Sequence, residues 1–351
     1  MTSRERILAA INHHPVDHLP CDIWATGEVW DSLRRHFGEE DPLKLRDLLG
    51  IDGIMGVGAP YTHQHPESPE GTPVGLWGSW GRSMTLPTGG SYWEQAHYPL
   101  KEVTDPRQLD DFDWESPTDY DFAAAREGCA KLHGRFVVEA GYLAPFVDLW
   151  TLFGQETALL NLALRPDLIE AVLDRTMAYR LEQHRLLFEA CRGVMDLTQV
   201  TDDFGCQNGL VMSKRTIQTI FWPHYRSAIK LAKEFGLIVF HHDDGGMFEI
   251  IGDLVELGVE VLNPIQWRCA GMDRARMKAE FGDRLCFHGA VDTQSIMSFG
   301  TAEDVRREVR ENMRLLGGDG TGYIVAPCHN IQSGTPLENV LAMYEEIREG
   351  R

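Results

Sequence analysis

Along the second half of the chain, short apolar runs alternate with longer amphipathic stretches. Residues 194–200, 237–241, 259–263, 285–289 and 323–326 are apolar and short enough to be strands buried on both faces. Between and after them, residues 214–235, 247–257, 273–281, 302–316 and 336–348 carry apolar positions at helical spacing. Ser213, Thr301 with Asp304 three residues on, and Thr335 followed by Pro336 predict helix starts. Strand and helix in strict alternation predict parallel β-α units. No G-x-G-x-x-G or P-loop sequence follows an early strand, which points away from a nucleotide-binding open sheet and toward a barrel.

The first half is less regular. Residues 3–12 predict a capped helix, 19–24 a first strand, 29–37 and 42–49 helices, 53–57 a second strand and 135–139 another. Residues 156–190 hold one or two long helices. Residues 59–100 are rich in Gly, Pro, Trp and Tyr and read as a β-hairpin excursion inserted in the barrel, placed to act as a lid. Trp77, Trp80, Tyr92 and Trp93 there either line a ligand or fasten the hairpin to the barrel. The expected fold is one (β/α)₈ barrel domain over residues 1–351.

Polar residues gather where the predicted strands end. The clusters are Thr201-Asp202-Asp203, His241-His242-Asp243-Asp244-Gly245, Asn263-Pro264-Ile265-Gln266, His288 to Asp292, and Cys328-His329-Asn330-Ile331-Gln332. In an α/β barrel these ends converge on one face, within reach of one small molecule. His242 and Asp244, two apart on an extended end, project to the same side and can share a metal with a third donor. Cys328 and His329 are the candidates for that third ligand. Of the adjacent acids, one faces the mouth; Asp203 is read as an acid–base group and Asp202 as a substrate-side partner. His288 is a second catalytic candidate. Gln207, Asn263, Gln266, Asp292 and Asn330 complete the expected substrate-binding set.

Composition narrows the partners. The formal net charge is −20 and no basic stripe offsets it, which excludes general affinity for nucleic acid or anionic membrane. Seven dispersed cysteines without a C-x-x-C pair read as reduced thiols in a cytoplasmic protein. The first residues carry charges where a secretion signal needs an apolar run, and no stretch is apolar for the ~20 residues a membrane span requires.

The run Phe240-His-His-Asp-Asp-Gly-Gly-Met, then Asp253 to Gln266, resembles the uroporphyrinogen decarboxylase superfamily. Phe287-His-Gly-Ala-Val-Asp-Thr-Gln, Tyr323 to Gln332, Asp202 to Gln207 and Gly141 to Phe146 extend the resemblance over nearly the whole chain. It implies a (β/α)₈ barrel, monomeric or homodimeric. Members that decarboxylate a tetrapyrrole carry an Arg-rich stretch after the first strand; residues 20–27 here hold Asp22 and no Arg. The other branch is similar to methylcobalamin:coenzyme M methyltransferases, which bind zinc through an H-x-C pair and a later Cys. His242-Asp243-Asp244 sits on that pair with Asp in place of the Cys, and the later ligand falls at Cys328 or His329. The resemblance therefore implies a Zn²⁺-assisted methyltransferase for a small thiol or methoxy substrate, working with a corrinoid on a partner protein. The alternatives are a decarboxylase or related lyase of porphyrin biosynthesis using Asp203 and His288, and a non-catalytic barrel that binds a tetrapyrrole or a corrinoid carrier.

Overall fold

The computed structural model describes residues 1–85 and 90–350. Its strands in chain order are β1 (Ile54–Gly56), β2 (Trp80–Thr85), β3 (Ser91–His97), β4 (Val137–Leu143), β5 (Leu197–Val200), β6 (Gly205–Cys206), β7 (Gly209–Leu210), β8 (Ile238–His242), β9 (Val261–Asn263), β10 (Cys286–Val291) and β11 (Tyr323–Pro327). Seven of them form one curled parallel sheet in the order β1-β4-β5-β8-β9-β10-β11. Two short antiparallel ribbons, β2 with β3 and β6 with β7, stand apart from it. The tip of the expected hairpin excursion, residues 86–89, lies outside the described residues.

Parallel neighbours need crossovers, and helices supply them. Pro145–Phe153, Gln155–Leu164 and Pro166–Ala190 join β4 to β5; Phe248–Leu257 joins β8 to β9, Arg274–Phe281 β9 to β10, and Ala302–Leu316 β10 to β11. The one helix expected over residues 214–235 is broken by a π turn at Ile217–Phe221 before Trp222–Glu234. Pro223 is the physical reason: it has no N–H to donate, so the ladder widens ahead of it. Ser213 caps through its hydroxyl and Thr301 closes a capping box with Asp304. Thr335 does not cap: the last helix, Leu337–Glu349, starts after Pro336 without a side-chain cap. Among the described residues no helix is long and apolar enough to cross a membrane.

The expected first strand, residues 19–24, is reduced to isolated bridges. Cys21 pairs with Val325 and Ala25 with Ile331. The Asp22 N–H donates to the Val325 carbonyl, and the Asp52 and Gly53 N–H groups, just ahead of β1, donate to the Cys21 carbonyl. The segment thus touches both edges of the seven-stranded sheet.

Two layers of inward-facing residues position the site. Val137, Leu197, Phe240, Val261, Cys286 and Ile324, one from each of six strands, form an apolar cluster with Ile7, Ala10 and Ile11 of the first helix, Ser3–Ile11. Side chains alternate along a strand, so the residue two positions on faces the same interior one layer nearer the C-terminal end. Those residues are Glu139, Gln199, His242, Asn263 and His288, with Ala326 on the last strand. An apolar floor therefore carries a polar ring.

Candidate functional site

Hydrogen bonds join the ring in two runs, one on β4 and β5 and one from β8 to β10. Gln199 Nε2 donates to Glu139 Oε1 at 2.7 Å. His242 Nδ1 lies 2.5 Å from Asn263 Oδ1, and Asn263 Nδ2 lies 2.7 Å from His288 Nδ1. His288 Nε2 meets Asp22 Oδ2 at 3.2 Å. Trp24 covers the ring from the side, stacked on His242 with centroids 5.4 Å apart and tilted against His288 at 5.8 Å. Burial pushes the Glu139 carboxyl up to about 7, against the opposing hydrogen bond from Gln199.

Above the ring, at the strand ends, His242, Asp244 and His329 each offer a ligand atom, all within 4.8 Å of one another. His242 Nε2 is 3.8 Å from Asp244 Oδ1, and His329 Nε2 is 3.7 Å from Asp244 Oδ2. Asp203 Oδ1 is 3.9 Å from the same His242 nitrogen. Ligands on a tetrahedral divalent ion lie roughly 3.3 Å apart at bond lengths near 2.0–2.1 Å, so a small contraction would close the set around an ion. Two imidazoles with one or two carboxylates suit zinc and its first-row neighbours, in a harder site than thiolates make. The donor chemistry fits a divalent metal.

The support around these groups is local and specific. Period-two alternation sends His242 and Asp244 inward and leaves His241 and Asp243 buried behind the sheet, where the Asp243 carboxylate accepts the Gly205 N–H at 2.9 Å. Gln266 clamps the turn, donating to Asp244 Oδ1 at 2.6 Å and accepting the Gly245 N–H at 2.7 Å. Only glycine fits at 205, since a Cβ there would sit 2.2 Å from the Asp244 carbonyl. Burial raises the Asp203 carboxyl to about 6, opposed by His242 and reinforced by the charges of Asp243 and Asp244.

The structure brings together His242, Asp244, His329, Asp203, Asn263 and Gln266. It gives the other sequence candidates different work. Cys328 is buried, its Sγ donates to the Ile265 carbonyl at 3.2 Å, and burial holds the thiol well above its ordinary range. His288 is fully buried with both ring nitrogens engaged, so it presents nothing to a substrate. Asp202 faces outward: Oδ1 accepts the Phe146 and Val147 N–H groups at the start of the helix Pro145–Phe153, and Oδ2 accepts the Tyr225 hydroxyl at 3.0 Å. Asp292 accepts the N–H groups of Gln294, Ser295 and Ile296 and pairs with Arg268 at 2.6 Å. Gln207 is exposed and bonded to Gln294, and the half-buried Asn330 offers its carbonyl to Gln332. Trp77 is buried under Arg180, while Tyr92 and Trp93 stand exposed on β3.

Sequence reading missed Glu139, Gln199, Asp22 and Trp24. For the first two a signal existed: each stands two residues beyond an inward apolar residue, as His242 stands beyond Phe240.

The sequence model of the family described as uroporphyrinogen decarboxylase (URO-D) matches residues 80–350. A uroporphyrinogen decarboxylase of Carboxydothermus hydrogenoformans is 27% identical over 133 residues, 36% of this chain and only 34% of that protein's length. In three dimensions, a methyltransferase from Methanosarcina mazei superposes with a TM-score of 0.68 over 99% of both chains, at 20% identity.

Proposed function

Since this chain belongs to the uroporphyrinogen decarboxylase family, we propose that it is a metal-assisted methyltransferase of that family rather than a decarboxylase. In this reading a corrinoid carried by a partner protein is the other methyl partner. The observation that carries the reading is the His242–Asp244–His329 set, with Asp203 beside it. The family fold and the structural likeness to a methyltransferase support it. The contents of residues 20–27 support it as well. They put Asp22 on His288 and Trp24 on His242, where a substrate bearing many carboxylates would need arginines. We read the sheet as a (β/α)₈ barrel whose eighth stave is the short segment around Cys21, which places all these groups at one mouth.

His242, Asp244 and His329 would hold the ion, with Zn²⁺ the first candidate. When bound, it supplies Lewis acidity toward a methoxy oxygen or a thiol. The nitrogen and oxygen donors favour the methoxy substrate, because hard ligands select hard partners. Gln266 orients the Asp244 carboxylate and Asn263 orients the His242 ring. Trp24 shields one side of the ring from water. Asp203, whose carboxyl is raised to about 6 and stands beside His242, is the group suited to exchange a proton with the departing oxygen. The corrinoid would supply the nucleophile that accepts the methyl group as the carbon–oxygen bond breaks, and Asp203 is the residue of this chain placed to give the freed oxygen its proton.

Elemental analysis of protein purified without chelators from zinc-replete medium tests the reading. About one divalent ion per chain is the expected result. Metal-free protein that releases CO₂ from uroporphyrinogen would replace the proposal with the decarboxylase.

A further inference from the structure

The side chains linking Asp22 to the proposed metal site each have one permitted hydrogen-bond polarity. Asp22 is fully buried. Its Oδ1 accepts the N–H groups of Ile23 at 2.8 Å and Ile54 at 3.3 Å, leaving Oδ2 for His288 Nε2 at 3.2 Å. A carboxylate only accepts, so His288 carries a proton on Nε2, and as a neutral ring it offers a lone pair at Nδ1. Asn263 then turns its NH₂ to His288 Nδ1, at 2.7 Å, and its oxygen to His242 Nδ1, at 2.5 Å. His242 must in turn be protonated at Nδ1. In the neutral ring Nε2 is then left with the lone pair, facing Asp203 and Asp244 at 3.9 and 3.8 Å.

We propose that Asp22, through His288 and Asn263, is the positioning residue that locks His242 in the tautomer able to ligate a metal. The inference concerns the ligand His242 and so rests on the metal reading above. Its range is unusual for a support of this kind, since Asp22 and His288 lie 266 positions apart in the chain. Only the closeness of residues 20–25 to β10 and β11 brings them together. His288 and Asn263 are also fully buried, so no water replaces a missing partner.

Asp22→Asn reverses the polarity. The Ile23 and Ile54 N–H groups hold the new amide's oxygen at the Oδ1 position, which turns its NH₂ toward His288 Nε2. His288 then donates from Nδ1, Asn263 flips, and His242 accepts at Nδ1 and carries its proton on Nε2, where the metal should bind. The expected loss in Zn²⁺ affinity, measured by competition with a chromophoric chelator, is about 10- to 100-fold. Asn263→Asp accepts from His242 Nδ1 whatever His288 does. The double variant Asp22→Asn/Asn263→Asp is therefore expected to regain the parent's affinity, a rescue that a merely structural role for Asp22 would not give.

Long-range proton–nitrogen NMR of the metal-free full-length protein reads the tautomer directly. It should show His242 protonated at Nδ1 in the parent and at Nε2 in Asp22→Asn. His242 protonated at Nε2 in the parent overturns the inference, as does a folded Asp22→Asn with unchanged Zn²⁺ affinity. Should Asp22→Asn fail to fold, the parent spectrum alone decides. A parent that shows the expected tautomer yet binds no Zn²⁺ would sink the proposed function and leave the tautomer lock standing.

Discussion

Replacing His242 by alanine is expected to lower Zn²⁺ affinity by roughly 10³-fold or more, well beyond the 10- to 100-fold typical of an outer-shell partner. His242 lies against both other ligands: its Nε2 faces Asp244, with Asp203 alongside, and its ring is tilted against that of His329 with centroids 5.8 Å apart. Without it Asp244 and His329 remain, a pair with no third protein ligand in the set. The fold should tolerate the change, because the ring is half-buried at the mouth and not part of the apolar floor. Chelator competition on the folded variant measures the loss. An affinity within about tenfold of the parent would mean that His242 is not a ligand.

The second large effect separates two neighbouring acids. Asp203→Asn is expected to leave stability nearly unchanged and to cut methyl-transfer turnover by about 10²-fold or more, the scale of a lost acid–base group. Asp202→Ala should do the reverse. It strips three hydrogen bonds from buried donors, two of them at the start of the helix Pro145–Phe153, and should cost about 2–4 kcal/mol of stability. Thermal unfolding and turnover, measured on both variants, give a crossed pattern. Loss of turnover with Asp202→Ala at unchanged stability, and none with Asp203→Asn, would place the reacting carboxylate on the wrong side of the strand.

That crossed pattern was half legible in the sequence. Alternation along residues 194–203 says that one acid faces the mouth, and the inward series Leu197, Gln199, Asp203 selects it once Leu197 is known to lie on the floor. The strands of the second half were legible because each is a short apolar run buried on both faces. Alternation fails where a strand stops. Pro327 ends β11, so parity no longer assigns the next two residues, and the turn points Cys328 at the Ile265 carbonyl and His329 at the site. Pattern marked residues 19–24 as a strand but not their reduction to isolated bridges, which come from closing the gap between β11 and the residues before β1. The Asp22–His288 contact lay beyond any local signal, since chain topology creates it.

The most direct test of metal-assisted methyl transfer is spectroscopic. Metal-loaded protein mixed with cob(I)alamin and a panel of small methoxy compounds, or with methylcobalamin and small thiols, is followed by corrinoid absorbance. The expected result is interconversion of the two corrinoid forms with at least one substrate class, abolished by removing the metal and restored by Zn²⁺. An unchanged corrinoid spectrum across both panels, with CO₂ released from uroporphyrinogen by the metal-free protein, would contradict it.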